Sequence, residues 1–198
     1  MAAAFLLTLI VGVAVGLLGP ADATPSDSSA EAGFARDMAT HHAQAVEMSM
    51  IAHARSGNPE VATLAQDIAL TQQAQIGTMR AWLTTWKLSP TGRAPMAWMT
   101  RTDMPGMSHD ASMPGMATPS ELNDLRQATG QNLDVAFTRL MIRHHEGGIV
   151  MVDAVLAAEP RSEVRDLASQ IRAGQDAELN ALRDLLHRLA PDNASRGN

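Results

Sequence analysis

The sequence predicts an all-α protein, a ferritin-like four-helix bundle made of two duplicated helical hairpins. The 198-residue chain matches itself without a gap when it is shifted by 103 positions, so that Phe34 falls on Phe137 and Met48 on Met151. Apolar residues recur at helical spacing within each copy. Tyrosine is absent, and Phe and Trp number three each. The core must therefore consist of aliphatic residues and Met, which favours helices over strands.

The first hairpin is predicted over residues 34–87. Ser28 and Glu31 have the spacing of a capping box, and the helix that they begin should reach about residue 54. Asn58 and Pro59 suit the N-cap and the first position of a second helix, which should end near residue 87. Two antiparallel helices joined by a short turn are therefore expected here.

The second hairpin is predicted over residues 132–190. A helix should cover 132–158, a turn should follow at Pro160, and Pro191 should stop the last helix. Residues 191–198 are then a short tail. Because this unit repeats the first one without a gap, both are interpreted as copies of one structural module.

The crossover between the hairpins, residues 88–131, is rich in Met, Pro and Gly. It should contain a short helix capped by Thr118 and Glu121 that ends near Gly130. Two hairpins joined by one long crossover have the connectivity of ferritin-like bundles. In that arrangement the first helices of the two hairpins are antiparallel neighbours, so duplicated residues can face each other across a pseudo-twofold axis.

Residues 1–23 are predicted to be an export segment, followed by a linker and helix start at 24–33. The stretch is almost wholly apolar and ends in the small-x-small sequence Ala21-Asp22-Ala23. The first basic residue is Arg36, so a basic region ahead of the apolar run is missing. Both a cleaved signal peptide and an N-terminal membrane anchor remain open. Either one predicts a domain outside the cytoplasm, in the periplasm or at the cell surface.

The composition excludes several classes of site. Cysteine is absent, which rules out disulfides, thiolate metal sites and a cysteine nucleophile. The net charge of −6 and the scattered Arg residues do not suit a nucleic-acid partner. With 13 Met in the chain, a soft metal ligand would have to be a thioether.

The duplicated His-His pairs are the candidate metal ligands. At helical spacing each pair flanks a stripe of Met and small residues that should face the bundle interior. One interpretation is that these are neutral, hydrogen-bonded core histidines with Met as core filler. The favoured one is a metal site, in which the two pairs approach to about 4–7 Å between imidazoles. The candidates on the helices are His41, His42, His144, His145, Met38, Met48, Met141 and Met151.

The crossover adds a second group of candidate ligands. Met-x-x-Met occurs three times in it, in a segment otherwise full of Pro and Gly. Thioethers favour Cu(I) and its analogue Ag(I). The alternative is a hydrophobic lid in which Met and Trp98 cover the bundle. The candidate ligands in this segment are Met104, Met107, His109, Met113 and Met116.

Metal binding by the two groups of ligands should respond differently to acid. Imidazole must be neutral to coordinate, whereas a thioether carries no proton. Because free His titrates near pH 6.5, acidification from about pH 7.5 to 5 is expected to weaken the His component steeply.

A di-iron site of the ferritin kind fits poorly. Such sites use one Glu from each of two helices and Glu-x-x-His from the other two. The second helices offer instead Gln72 and Gln75 in one hairpin, and Gln175 and Glu178 in the other. Oxygen-activating chemistry is therefore disfavoured.

The chain resembles the bacterial domain-of-unknown-function family 305. The resemblance rests on Met-x-x-His-His-x-x-Ala-x-x-Met at 38–48 and Leu-Met-Ile-Arg-His-His-x-Gly-Gly-x-x-Met at 140–151, and covers about residues 30–190. It implies a ferritin-like, exported or membrane-anchored protein. Some members are associated with copper binding and copper tolerance outside the cytoplasm, which would make the His pairs and flanking Met residues the ligands.

The sequence thus predicts a non-enzymatic, extracytoplasmic metal-binding protein that buffers or carries copper, with zinc and iron as alternative metals. The alternative functions are a metal-dependent redox enzyme and a structural or partner-binding bundle with core histidines. Contact with a membrane is expected only through the N-terminal segment. A homo-oligomer or a metal-transfer partner would fit the carrier function.

Overall fold

The computed structural model describes residues 24–99 and 113–191, which form helices and no strands. The fold is all-α, as the sequence predicts. The predicted export segment at 1–23 lies outside the described residues. No helix within them is long and apolar enough to cross a membrane. The helices in chain order are α1 (Ala30–Arg55), α2 (Pro59–Thr85), α3 (Pro119–Gln127), α4 (Gly130–Ala157) and α5 (Ser162–Leu189).

Two hairpins form the bundle. Helix α1 packs along α2, α4 packs along α5, and the contact between α1 and α4 joins the two pairs. The short α3 touches both α1 and α4. The first helices of the two hairpins are therefore neighbours, which is the arrangement that the duplication predicts and is consistent with a ferritin-like bundle.

The helix starts follow the predicted caps with one exception. Asn58 caps α2 through its side chain, and Thr118 and Glu121 form a complete capping box at α3. The predicted box at Ser28 is wrong, because Ser29 is the N-cap of α1 and accepts from the Ala32 amide. Glu31 instead accepts a hydrogen bond from the backbone of Arg161, which ties the start of α1 to the turn between α4 and α5.

The core is aliphatic and rich in Met. Phe34 and Phe137, which are equivalent in the repeat, are both completely buried in separate apolar clusters. One cluster holds Met38 and Met151, and the other holds Met48 and Met141. Each cluster thus combines Met residues of both hairpins, as expected when α1 and α4 cross antiparallel.

The described parts of the crossover dock on the first helices of the hairpins. The Asp37 carboxylate accepts hydrogen bonds from the Met96 amide at 2.7 Å and from Trp98 Nε1 at 2.8 Å. Trp98 lies so close over Gly33 that a Cβ atom there would approach its ring to 2.3 Å. This segment covers the bundle as a lid, which is one of the two functions that the sequence left open for it.

Candidate metal centre

The four histidines of the two pairs meet at the contact between α1 and α4. The rings of His41 and His144 lie with their centroids 3.8 Å apart and their planes tilted by 33°. Within each pair the ring centroids are 6.5 Å and 6.4 Å apart. All four residues have no exposed surface. The pairs therefore come together as predicted, at a centroid distance slightly shorter than the expected 4–7 Å.

The outer histidine of each pair is held by the second helix of its own hairpin. His42 Nε2 donates to Gln75 Oε1 at 2.8 Å, and His145 Nε2 donates to Glu178 Oε2 at 2.6 Å. The two bonds are equivalent under the repeat. The sequence predicts that Gln75 and Glu178 lie on the second helices, but their bonds to the outer histidines were not predicted. The signal that could have revealed them is the separation of 33 residues between the histidine and its partner, which is the same in both hairpins.

The crossover reaches the centre of the site through its backbone. His41 Nε2 donates to the carbonyl oxygen of Pro114 at 2.9 Å. Pro114 can approach because residue 147 is glycine, where a Cβ atom would lie 2.1 Å from the same oxygen. Gly148 has a different function, since a Cβ there would meet the Gln175 amide of α5 at 2.6 Å.

These acceptors fix the protons of three rings. Carbonyl and carboxylate oxygens only accept, so His41, His42 and His145 carry their proton on Nε2 when neutral. Each of their Nδ1 atoms is then unprotonated and carries a free lone pair, which is buried and accepts no hydrogen bond. Both ring nitrogens of His144 are buried and make no hydrogen bond of good geometry, although the His144 ring lies near the His41 backbone. Five of the eight ring nitrogens are thus buried and unsatisfied.

Two amides lie buried on the same helix faces. Gln72 and Gln175 are equivalent in the repeat, and each lies one turn before the residue that binds the outer histidine. They are 2% and 3% exposed, and the oxygen and nitrogen of both amides lack partners. Apart from the Ser49 hydroxyl, the buried side-chain polar atoms that lack partners in the described residues therefore belong to the two His pairs and to these two equivalent amides.

Burial keeps three of the four rings neutral. Loss of solvation lowers the pKa of His41 to about 4 and that of His42 to about 3, with smaller contributions from neighbouring histidines. Burial also holds the pKa of His144 well below its ordinary value, and the other three histidines add to this effect. These imidazoles are therefore neutral at physiological pH, which is the form that coordinates metals.

The histidines do not form a preassembled cage. Among residues 24–99 and 113–191, no three His, Asp or Glu side chains converge as a metal site would require. The rings of His41 and His144, with centroids 3.8 Å apart, lie too close for an ion between them, because two metal–nitrogen bonds of about 2 Å need more room. A metal would have to use one or two imidazoles at the edge of this pair of rings, with other donors completing its shell.

Thioethers are the donors that lie nearest along the helices. Met38 and Met141 precede their His pairs by one helical turn and are completely buried. In the cluster that holds Met38 and Met151, further Met residues come from α2 and the crossover, namely Met79, Met96, Met99, Met113 and Met116. Met104, Met107 and His109 lie outside the described residues, so their candidacy as ligands stays a prediction.

The chain matches known proteins over most of its length. The family model described as "Domain of unknown function (DUF305)" covers residues 31–186. A protein of Streptomyces coelicolor described as a secreted DUF305 protein has 38% identity and a TM-score of 0.75, over 83% of this chain and 95% of that one. Comparison with curated proteins gives no significant match.

Two further structures share the fold. A DUF305 fragment from Deinococcus radiodurans has 31% identity and a TM-score of 0.66, over 80% of this chain and 96% of its own. CopM in its Cu(II)-bound form has 27% identity and a TM-score of 0.60, over 78% of this chain and 94% of its own.

Proposed function

Because this chain belongs to the DUF305 family, and because its duplicated histidines meet in the bundle core, we propose that it is an extracytoplasmic metal-binding protein that buffers or carries copper. The observation that carries the proposal is the set of five buried, unsatisfied ring nitrogens. Leaving a buried polar group unpaired costs about 1–3 kcal/mol. A cluster of five is expensive on the scale of a protein's net stability, about 5–15 kcal/mol.

Coordination of a metal would relieve part of this cost. The Nδ1 atoms of His41, His42 and His145 are presented as lone pairs, since their Nε2 protons are already engaged. Neutral imidazole binds copper, zinc, iron and nickel, whereas thioether selects soft ions such as Cu(I). The combination of buried imidazole and buried Met within one helical turn therefore favours copper over zinc and iron.

The comparisons support the same metal and an extracytoplasmic location. CopM, a neighbour with the same fold, is described in a Cu(II)-bound form. The Streptomyces relative is described as secreted, which agrees with the export segment predicted at 1–23. We infer that the chain acts on copper outside the cytoplasm and passes it to a partner or holds it.

Binding rather than catalysis is proposed because of the donor set. An oxygen-activating di-iron centre needs four carboxylates with its histidines. In the described part of the chain, the residues that bond to the outer histidines are one Gln and one Glu. The buried rings suit retention of an ion better than turnover of a substrate.

The experiment is elemental analysis of the chain purified from the exported fraction of its own host, followed by loading with Cu(II) or with Ag(I) in place of Cu(I). We expect copper at a fixed molar ratio, and loss of it when the four histidines are replaced by Gln. As a control, replacement of the exposed His53 and His187 should leave the ratio unchanged. A wild-type chain that takes up neither ion at pH 7.5 against a weak competing chelator would refute the proposal.

A further inference from the structure

We propose that Glu178 gives the His145 side of the cluster a preference for a divalent over a monovalent metal ion, whereas Gln75 leaves the His42 side without this preference. The inference rests on the proposed metal-binding function. It assigns the discrimination between oxidation states to a residue outside the set of ligands.

The repeat isolates one chemical difference between the two sides. Gln75 and Glu178 occupy equivalent positions and hold the outer histidine through the same ring nitrogen, at 2.8 Å and 2.6 Å. Their side chains have the same length and nearly the same shape. What differs is that one acceptor is a neutral amide and the other a carboxylate.

The charge of Glu178 is not neutralised by a cationic side chain. Among residues 24–99 and 113–191, no Arg or Lys side chain forms an ion pair with it, and its partner is the His145 imidazole. Two carboxylates on the outer surface differ in this respect, since Glu121 pairs with Arg143 and Glu146 pairs with Arg183. The negative charge of Glu178 therefore acts on the His145 imidazole and is not neutralised by a guanidinium group.

The location of the charge limits its screening. The His145 side chain has no exposed surface, and that of Glu178 is 21% exposed. Partly buried charges are screened by salt much less than exposed ones. A metal ion bound at Nδ1 of His145 would lie across a single imidazole ring from the carboxylate, and the ring would transmit the added electron density to the ion.

The size of the effect follows from general values. Replacing a carboxylate that supports a metal-binding His costs about 10–100-fold in affinity. Coulomb energy is proportional to the charge of the ion, so the logarithm of the effect on Ag(I) should be about half of that on Cu(II). A loss of about 100-fold for Cu(II) then corresponds to about 10-fold for Ag(I).

The test compares the dissociation constants of Cu(II) and Ag(I) for the full-length chain at pH 7.5, by competition with chelators. E178Q should lower the affinity for Cu(II) by about 10–100-fold and that for Ag(I) by about 3–10-fold. The substituted Gln can accept the same hydrogen bond, as Gln75 does in the first hairpin. E146Q is the matched control, since it removes a charge next to His145 on the exposed face, and it should change both constants by less than about twofold.

The reverse variant makes the inference independent of any misfolding of E178Q. Q75E should raise the affinity for Cu(II) more than that for Ag(I), and the double variant E178Q/Q75E should recover the wild-type preference. Equal effects of E178Q on both ions, or none, would overturn the role of Glu178 while leaving the metal-binding function intact. No gain of Cu(II) affinity in Q75E would also overturn it. A wild-type chain that binds neither ion would instead refute the proposed function.

Discussion

Acid should destabilise the metal-free protein in a pH range set by its buried histidines. The pKa of His41 is lowered to about 4 and that of His42 to about 3, in both cases mainly by burial. The unfolded chain protonates its histidines near pH 6.5. Between these pH values the unfolded state binds more protons than the folded state. The free energy of unfolding is therefore highest above pH 6.5 and falls as the pH is lowered towards 4 and 3.

The magnitude follows from the width of that window. One pKa unit corresponds to about 1.4 kcal/mol, so at pH 5 each of the two histidines costs about 2 kcal/mol relative to pH 7.5. Ion-paired carboxylates act at lower pH, since hydrogen bonds from Arg143 lower the pKa of Glu121 to about 2. Burial raises the pKa of Asp37, which works in the opposite direction but is shared by wild type and variant.

The assay is urea unfolding followed by circular dichroism at pH 7.5 and pH 5 in the presence of a chelator. H42Q removes the titrating group and keeps an amide near Gln75, so it should reduce the pH-dependent loss by about 2 kcal/mol. H187Q, at an exposed position, is the control and should behave as wild type. If H42Q and wild type lose the same free energy of unfolding between the two pH values, His42 is not held neutral by burial and the electrostatic account of the site is wrong.

Two further predictions test the parts around the site. Replacing Met104, Met107, Met113 and Met116 by Leu should preserve helicity and the apolar lid but lower the Ag(I) capacity measured by dialysis; an unchanged capacity would leave the crossover as a lid alone. G147A should destabilise the protein by about 1–3 kcal/mol, because a Cβ there would lie 2.1 Å from the Pro114 carbonyl oxygen. G77A, on a helix position with nothing within 4 Å, should stabilise by up to about 1 kcal/mol in the same thermal unfolding experiment.

The fold could be predicted because local sequence patterns mark the helices and because the hairpin is duplicated. Asn58-Pro59 and Thr118-Pro119 mark helix starts by chemistry that acts within a few residues. The offset of 103 carried the three-dimensional information, because an ungapped repeat of a hairpin places equivalent residues about one axis. The start of α1 was missed by one residue, since Ser28 and Ser29 are both competent caps and distant contacts decide between them.

The details of the site could not be predicted, because they depend on contacts that the types of the residues do not reveal. The partner of His41 is the backbone carbonyl of Pro114, and any residue carries such a group. The close approach of the His41 and His144 rings depends on the packing of α1 against α4. The equivalence of Gln75 and Glu178 was visible in the repeat, but their function becomes clear only when the outer histidines are seen to bond to them.

The structure also changes the expected behaviour of the His component in acid. With free-histidine values, metal bound by imidazole should be released steeply between pH 7.5 and 5. Because burial lowers the pKa of His41 and His42 to about 4 and 3, their protonation in the folded protein is displaced below pH 5. Acid release of the metal should therefore coincide with the loss of the fold rather than precede it.

X-ray absorption at the copper edge of the full-length, copper-loaded chain identifies the atoms bound to the metal and so tests directly whether the buried histidines hold it. We expect imidazole nitrogen at about 2.0 Å together with sulfur at about 2.3 Å, distances that N and S donors show on comparable ions. The imidazole signal should disappear when His41, His42, His144 and His145 are replaced by Gln. A shell of oxygen alone, or of sulfur alone with no imidazole scattering in the wild type, would show that the buried histidines do not hold the metal.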